Sequence, residues 1–312
     1  MDNMMVQTDI QPQKLTQNII QSFVDFLDVN PLTVKSYKSG ISYFMRYIKE
    51  KGITYPQRND IISFKKYLIE SGKSPATVAA YLSALRRFFA WTYSEKIYPD
   101  ISTGVKAPRQ DKGHKRDYLS GSQLAEVLDT ANRATLEGKR NFAIMAVMST
   151  CGLRCCEVIR ADVADIRNVG GVTCLFVWGK ARNGKCDFVK LTAPVLEAVN
   201  DYLKARGPVK GNAPLFASCS RRNRGGRLTT RTISAICKNS MIRAGYNSTR
   251  LTAHSMRHSA ITLALMAGLS LSETQSFARH QNIQTTMIYN HSVNRLKSAC
   301  EEAITKSIFL RL

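Results

Sequence analysis

No stretch of this sequence approaches the ~20 consecutive apolar residues that a membrane-spanning helix needs. The opening segment, MDNMMVQTDIQPQ, lacks the basic start and apolar run of a secretory signal. A soluble protein that stays in the cytoplasm is therefore expected. CxxC pairs are missing too: the 8 cysteines are scattered at 151, 155, 156, 174, 186, 219, 237 and 300, and none stands at zinc-finger spacing from the histidines. They read as reduced, mostly buried, small apolar residues. A Walker phosphate loop and an acidic cluster suited to a divalent ion are also lacking, so neither metal nor cofactor is expected.

Negative charge is the scarcest commodity. Only 23 Asp and Glu face 45 Lys and Arg, a net charge of +22. The excess is uneven, +6 over residues 1–110 and +16 over 111–312. Such an imbalance costs a fold some self-repulsion and is expected where a polyanion supplies the counter-charge. Nucleic acid is the leading partner; a merely soluble basic protein or a ribosome-associated one is the plainer alternative. At 44% apolar and 22% charged the chain is otherwise an ordinary globular protein. Its 312 residues are long for one core and predict two domains.

Within residues 1–100 the apolar spacing predicts four helices. Leu15, Ile19, Phe23 and Phe26 recur at helical steps, then Val34, Tyr37, Ile41, Phe44 and Ile48. A third helix spans roughly 57–71, and Val78, Leu82, Leu85 and Phe89 mark the fourth. The second and fourth open alike, Asn30-Pro31 and Ser74-Pro75, each a capping side chain followed by proline at the first helical position. Lys35 and Lys38 on the second helix and Arg86 and Arg87 on the fourth are candidate DNA contacts. Residues 101–118 form a basic linker in which Lys106, Arg109, Lys115 and Arg116 suit phosphate contact.

Residues 119–312 predict a mixed, mostly helical domain with a small β-hairpin, strands at 172–178 and 188–191 joined by GKARNGK. Helices are expected near 122–133, 140–149, 194–205, 231–244, 253–267 and 271–279, then a short one at 285–290 and a last one at 293–306. Arg221 and Arg222, in a loop with Arg224 and Arg227, either track a DNA backbone or form a solvated charged loop.

Several polar residues stand out in this half. LTAHSMRH sets His254 and Arg257 one helical turn apart, near a helix N-terminus if Thr252 caps it. A guanidinium offers a planar fork for two oxygens of one phosphate, which lysine cannot reproduce. Upstream, GLRCCE places Arg154 at a helix start and Glu157 one turn on. The hairpin turn carries Lys180 and Lys185. Downstream, His280 precedes Tyr289 by nine positions, with Thr285-Thr286 between them.

In this order and spacing, GLRxxE, the hairpin lysine, HxxRH, the late histidine and TTxxYxH resemble the tyrosine recombinases, the phage-integrase or Xer-like site-specific recombinases. The likeness covers most of the chain. It implies a helical core-binding domain at 1–100 that grips DNA, the linker at 101–118, and a catalytic domain at 119–312 whose last segment, 293–312, is exchanged between subunits. It implies Arg154, Lys180, His254, Arg257 and His280 around a scissile phosphate, Tyr289 as nucleophile, and Glu157 in support. Lys185 is a second candidate for this role; Lys180 is preferred because the family's lysine commonly follows the glycine that ends the first hairpin strand, and His258 and His291 read as supporting. One departure from the family pattern is noted: Arg279 stands before the late histidine, where glycine is usual.

The implied activity is cutting and rejoining of duplex DNA at an inverted-repeat site through a 3′-phosphotyrosyl bond, by a homotetramer on DNA, without metal or ATP. The biological setting is integration or excision of a mobile element, or Xer-type resolution, with room for an accessory or partner recombinase. Because the chain starts close to the core-binding domain, no arm-site domain is expected. The alternatives are a catalytically inactive architectural or regulatory DNA-binding protein on the same scaffold, and a monomeric topoisomerase of the same chemistry.

Overall fold

The computed structural model describes residues 10–109, 117–178, 184–297 and 299–309, and the chain divides into two compact units, Met1–Lys112 and Gly113–Leu312. The first holds α1 (Gln17–Phe26), α2 (Pro31–Glu50), α3 (Arg58–Glu70) and α4 (Pro75–Ser94). The expected caps are in place: Asn30 accepts from the Leu32 amide at 2.9 Å and Ser74 from the Thr77 amide at 3.2 Å. Helices α2 and α4 pack closely at Gly40, where an added β-carbon would lie 3.1 Å from the Ala84 methyl and the Tyr81 backbone. The core is aromatic: Phe23 meets Phe88 edge-on at 5.3 Å, and Phe44 meets Phe64 at 5.2 Å.

The first unit runs past residue 100 to Lys112, so it takes in the residues just before the basic linker and the linker's first part. Tyr98 and Val105 are buried, and the Tyr98 hydroxyl donates to the Pro56 carbonyl at 2.9 Å. Arg58, Lys65 and Arg86 donate to the carbonyls of Thr103, Lys106 and Val105. A charge-rich stretch without apolar period can thus be held through its backbone oxygens.

The second unit contains α5 (Gly121–Asp129), α6 (Leu136–Thr150), α7 (Cys155–Arg160), an antiparallel sheet of β1 (Ile166–Val169), β2 (Val172–Val177) and β3 (Asp187–Lys190), then α8 (Ala193–Arg206), α9 (Thr230–Arg243), α10 (Ala253–Met266), α11 (Leu271–Ala278), α12 (Ile283–Lys297) and α13 (Cys300–Phe309). The protein is mainly helical with one small sheet, as expected, but the hairpin has a third strand. β1 shows one alternation too few to be read from sequence; it exists because β2, whose Leu175 pairs with both Ile166 and Val189, offers it an edge. Buried α6 forms the centre, with Met145, Val147 and Met148 against Leu153, Leu175, Ile233 and Met256.

A second difference lies at the C-terminus. The expected break near 291 is absent: α12 is continuous through Tyr289 and Val293. Val293 packs with Tyr289, Ile261, Leu265 and Ala278, so the position where the exchanged tail was expected to begin lies in the core of the unit. Helix α13 has no buried side chain. No helix among them is long and apolar enough to cross a membrane.

Candidate active site

Four elements bring the singled-out residues together. Arg154 is the N-cap residue of α7, which leaves its side chain outside the helical ladder. Its backbone N–H donates to Glu157 Oε2 at 2.8 Å and its Nη1 to Oε1 at 2.7 Å. Glu157 is only 3% exposed. Burial by itself would raise its carboxyl, yet Arg279, the Arg154 amide and the guanidiniums of Arg154 and Arg257 hold it below the usual carboxylate range.

Thr252 does cap α10, its amide donating to Ser255 Oγ at 3.1 Å. His254 in the first turn is exposed, whereas Arg257 is 1% exposed. Arg257 donates through Nη1 to the Gly152 carbonyl and through Nη2 to the Ala278 carbonyl, which ties α10 to the turn before α7 and to the end of α11. Burial first, then Arg154 and Arg279, push its guanidinium down from 12.5 to about 9, still charged at neutral pH. Two of its five N–H donors are taken by these carbonyls.

His280 follows the left-handed residue that ends α11, and its Nδ1 lies 2.9 Å from Thr286 Oγ1. Burial first, then Arg257, Arg154, Arg279 and His254, push its imidazole down to about 4, so it is neutral at pH 7. Tyr289 is buried on α12 between two imidazoles, its ring 4.7 Å from that of His258 and 6.1 Å from that of His280. Burial raises its phenol, an effect that Arg257 and Arg154 partly oppose. Arg154, Arg257, His254 and His280 thus share one electrostatic neighbourhood around the tyrosine. An anion beside Tyr289 would meet two guanidiniums and an imidazole donor in a dehydrated setting, where such contacts are strong.

The hairpin gives a split result. Lys180 lies outside the described residues. Lys185 is described, and its Nζ donates to Asp162 Oδ2 at 2.6 Å and to Asp165. It anchors the start of β3 to the turn before β1. Arg227 joins the same cluster through Asp162 and the Ile159 carbonyl, so it braces the end of α7 rather than belonging to a free basic loop.

Of the candidate DNA contacts, Lys35, Lys38, Arg86, Arg87, Lys106, Arg109, Arg221 and Arg222 are all exposed. Arg87 also lies 5.9 Å over the Phe26 ring. Lys115 and Arg116 lie outside the described residues. Among those described, no three His, Cys, Asp or Glu are grouped to hold a metal ion.

Two participants carried no assigned role in the sequence reading. Thr286, fully buried, is signalled only by the Thr-Thr pair one turn before Tyr289. Arg279 reaches Glu157, whose position 122 residues upstream left no local signal.

Residues 117–295 match the model of the phage integrase family, and residues 20–96 match that of the phage integrase N-terminal SAM-like domain. Tyrosine recombinase XerD of Listeria monocytogenes serotype 4b (strain F2365) is 28% identical over 300 residues, 91% of this chain and 98% of that protein. Tyrosine recombinase XerC of Actinobacillus succinogenes is 30% identical over 286 residues, 88% and 92% of the two chains. In fold, the chain is similar to the XerH site-specific recombinase bound to palindromic difH substrate in a post-cleavage complex (TM-score 0.70, 22% identity, 90% and 80% covered). It is likewise similar to a lambda integrase tetramer bound to a Holliday junction (TM-score 0.66, 17% identity, 89% and 80% covered). With a family model spanning more than half of its length and relatives aligned nearly end to end, the chain belongs to the phage integrase family, the tyrosine recombinases.

Proposed function

We propose that this protein is a site-specific DNA recombinase in which Tyr289 cuts the strand. The observation that carries the reading is the enclosure of Tyr289 by His258 and His280 within the field of Arg257 and Arg154. The phenol oxygen attacks phosphorus, the bond to the 5′ oxygen breaks, and a 3′-phosphotyrosyl linkage and a 5′ hydroxyl result. His254 takes the phenol proton and Lys180 gives one to the departing 5′ oxygen. Arg154 and Arg257 clamp the non-bridging oxygens, where charge gathers in the transition state, and His280 donates a further hydrogen bond. Glu157 keeps Arg154 in position. Because the ester is conserved, a 5′ hydroxyl from a second strand reseals it without ATP, and the guanidiniums supply the charge that a divalent ion would otherwise bring.

The substrate is duplex DNA with inverted half-sites, gripped by the first unit and the linker through exposed Lys and Arg, and acted on by a tetramer. Support for the assembly comes from the tetrameric lambda integrase complex of similar fold. The names of the XerD and XerC relatives support resolution of the Xer type; the divergent segment RHQNIQ, residues 279–284, leans towards a mobile element. The test uses duplexes selected from a randomised pool by binding to the protein. A covalent adduct on a nicked duplex is expected, together with strand exchange between two labelled copies. Binding without adduct would mean an inactive DNA-binding protein, and adduct with relaxation of supercoils but no exchange would mean a topoisomerase.

A further inference from the structure

Arg279 occupies a backbone position that disfavours it. Its φ of 53° and ψ of 44° are left-handed, at the end of α11, where glycine is the residue of least strain. Lys96 is the other non-glycine residue with positive φ among those described, and it sits on the surface after α4. The Arg279 side chain is 9% exposed. Strain of this kind persists where the surroundings over-determine it, and here the surroundings are the clamp itself.

Two acceptors of Arg279 are shared with the clamp arginines, one with each. Its Nη2 donates to Glu157 Oε2 at 3.0 Å, while Arg154 Nη1 holds Oε1 of the same carboxylate. The same Nη2 donates to the Gly152 carbonyl at 3.1 Å, the oxygen that also receives Arg257 Nη1. Nη1 closes the set on the Phe277 carbonyl at 3.0 Å. Gly152 itself has φ 60°, and an added β-carbon would meet the Phe277 ring at 3.2 Å, so this turn needs glycine to present its carbonyl to both arginines.

We propose that Arg279 is a positioning residue for both arginines of the clamp, acting through Glu157 and the Gly152 carbonyl. The inference rests on the reading of Arg154 and Arg257 as phosphate ligands. A buried carboxylate facing one arginine tends to form a two-pronged pair with it. Arg279 and the Arg154 amide together hold Oε2, which limits Glu157 to one prong on the Arg154 guanidinium and leaves that guanidinium's other edge to a phosphate oxygen. Arg279 also leaves the site with positive charge in excess over its one carboxylate. Glycine at this position could do neither.

The test compares Arg279→Gly and Arg279→Lys with the unmodified protein in single-turnover cleavage of the selected nicked duplex, alongside DNA affinity and thermal melting. Glycine adopts the left-handed backbone freely, so Arg279→Gly keeps the turn; lysine keeps the charge but lacks the planar fork whose two nitrogens reach the Glu157 carboxylate and the Phe277 carbonyl together. Both are expected to slow cleavage by about 10–100-fold, the loss typical of an outer partner that orients a directly acting group, with DNA affinity nearly unchanged. In Glu157→Gln/Arg279→Gly the combined loss should be smaller than the product of the two, because both variants break the Arg279–Glu157 link while only Arg279→Gly also breaks the link to the Gly152 carbonyl. Cleavage by Arg279→Gly at the unmodified rate, or fully multiplicative losses in the double variant, would overturn the proposal. Arg154→Ala and Tyr289→Phe are run in parallel. If those two cleave normally, the active-site reading fails; if they do not and Arg279→Gly does, only the role of Arg279 fails.

Discussion

His280 Nδ1 stands 2.9 Å from Thr286 Oγ1, across the turn that joins α11 to the helix of the tyrosine. In the tautomer with its proton on Nε2, the Thr286 hydroxyl donates to Nδ1 and the neutral histidine keeps an Nε2–H donor. That state agrees with its depression to about 4 by burial and by the arginines around it. Between pH 6.5 and about 4 the unfolded chain binds this proton and the folded chain does not, so His280 lowers stability as the pH falls through that window. The DNA-free His280→Gln variant should therefore lose melting temperature less steeply than the unmodified protein from pH 6.5 to 4. Parallel curves would mean that His280 is not depressed.

The two hairpin lysines should separate cleanly. Lys185 is bound to Asp162 and Asp165, and Asp165 is only 4% exposed, so Lys185→Met leaves buried carboxylate charge under-compensated. It should lose stability by roughly 3 kcal/mol, as for a broken buried pair. Lys180→Ala should instead keep its stability and lose ~10²–10⁴ in cleavage rate, as for a missing general acid. A substrate with sulfur at the 5′ leaving position should rescue Lys180→Ala, since a thiolate departs without a proton. Rescue of Lys185→Met and not of Lys180→Ala would reverse the assignment.

The C-terminal helix predicts a difference between two truncations. α13 exposes Ile304, Ile308 and Phe309, the last at 77%, an apolar face that a lone subunit gains nothing by showing. Removal of residues 300–312 should leave single-site DNA binding and melting nearly intact while weakening assembly on DNA and strand exchange. Ending the chain at 290 also removes Val293 from the packing around Tyr289 and should lower the melting temperature. Full-rate exchange by the shorter deletion would show that α13 does not connect subunits.

The sequence made the helices legible because their buried faces repeat at three and four residues and their caps are local. The clustered residues were legible because GLRxxE, HxxRH and TTxxY each fit on one turn or helix. What escaped has partners far along the chain. Lys185, Asp162 and Arg227 form one cluster from three separate segments, so nothing near Lys185 marks it as an anchor. Arg279 reads locally as a misplaced glycine, and its meaning comes from Glu157 and Gly152. The uninterrupted α12 was hidden because polar Asn290, His291 and Ser292 look like a break, while Val293 continues the buried face of Thr286 and Tyr289.

The central claim is that the phenol of Tyr289 becomes joined to DNA. Its most direct test is to trap the adduct on a nicked duplex, digest the protein with trypsin and identify the peptide that carries the nucleotide. The predicted carrier is residues 280–295, released by cleavage after Arg279 and Arg295, in which Tyr289 is the single tyrosine. Tyr289→Phe should bind the same duplex and give no adduct. A nucleotide on any other peptide, or an adduct formed by Tyr289→Phe, would contradict the account.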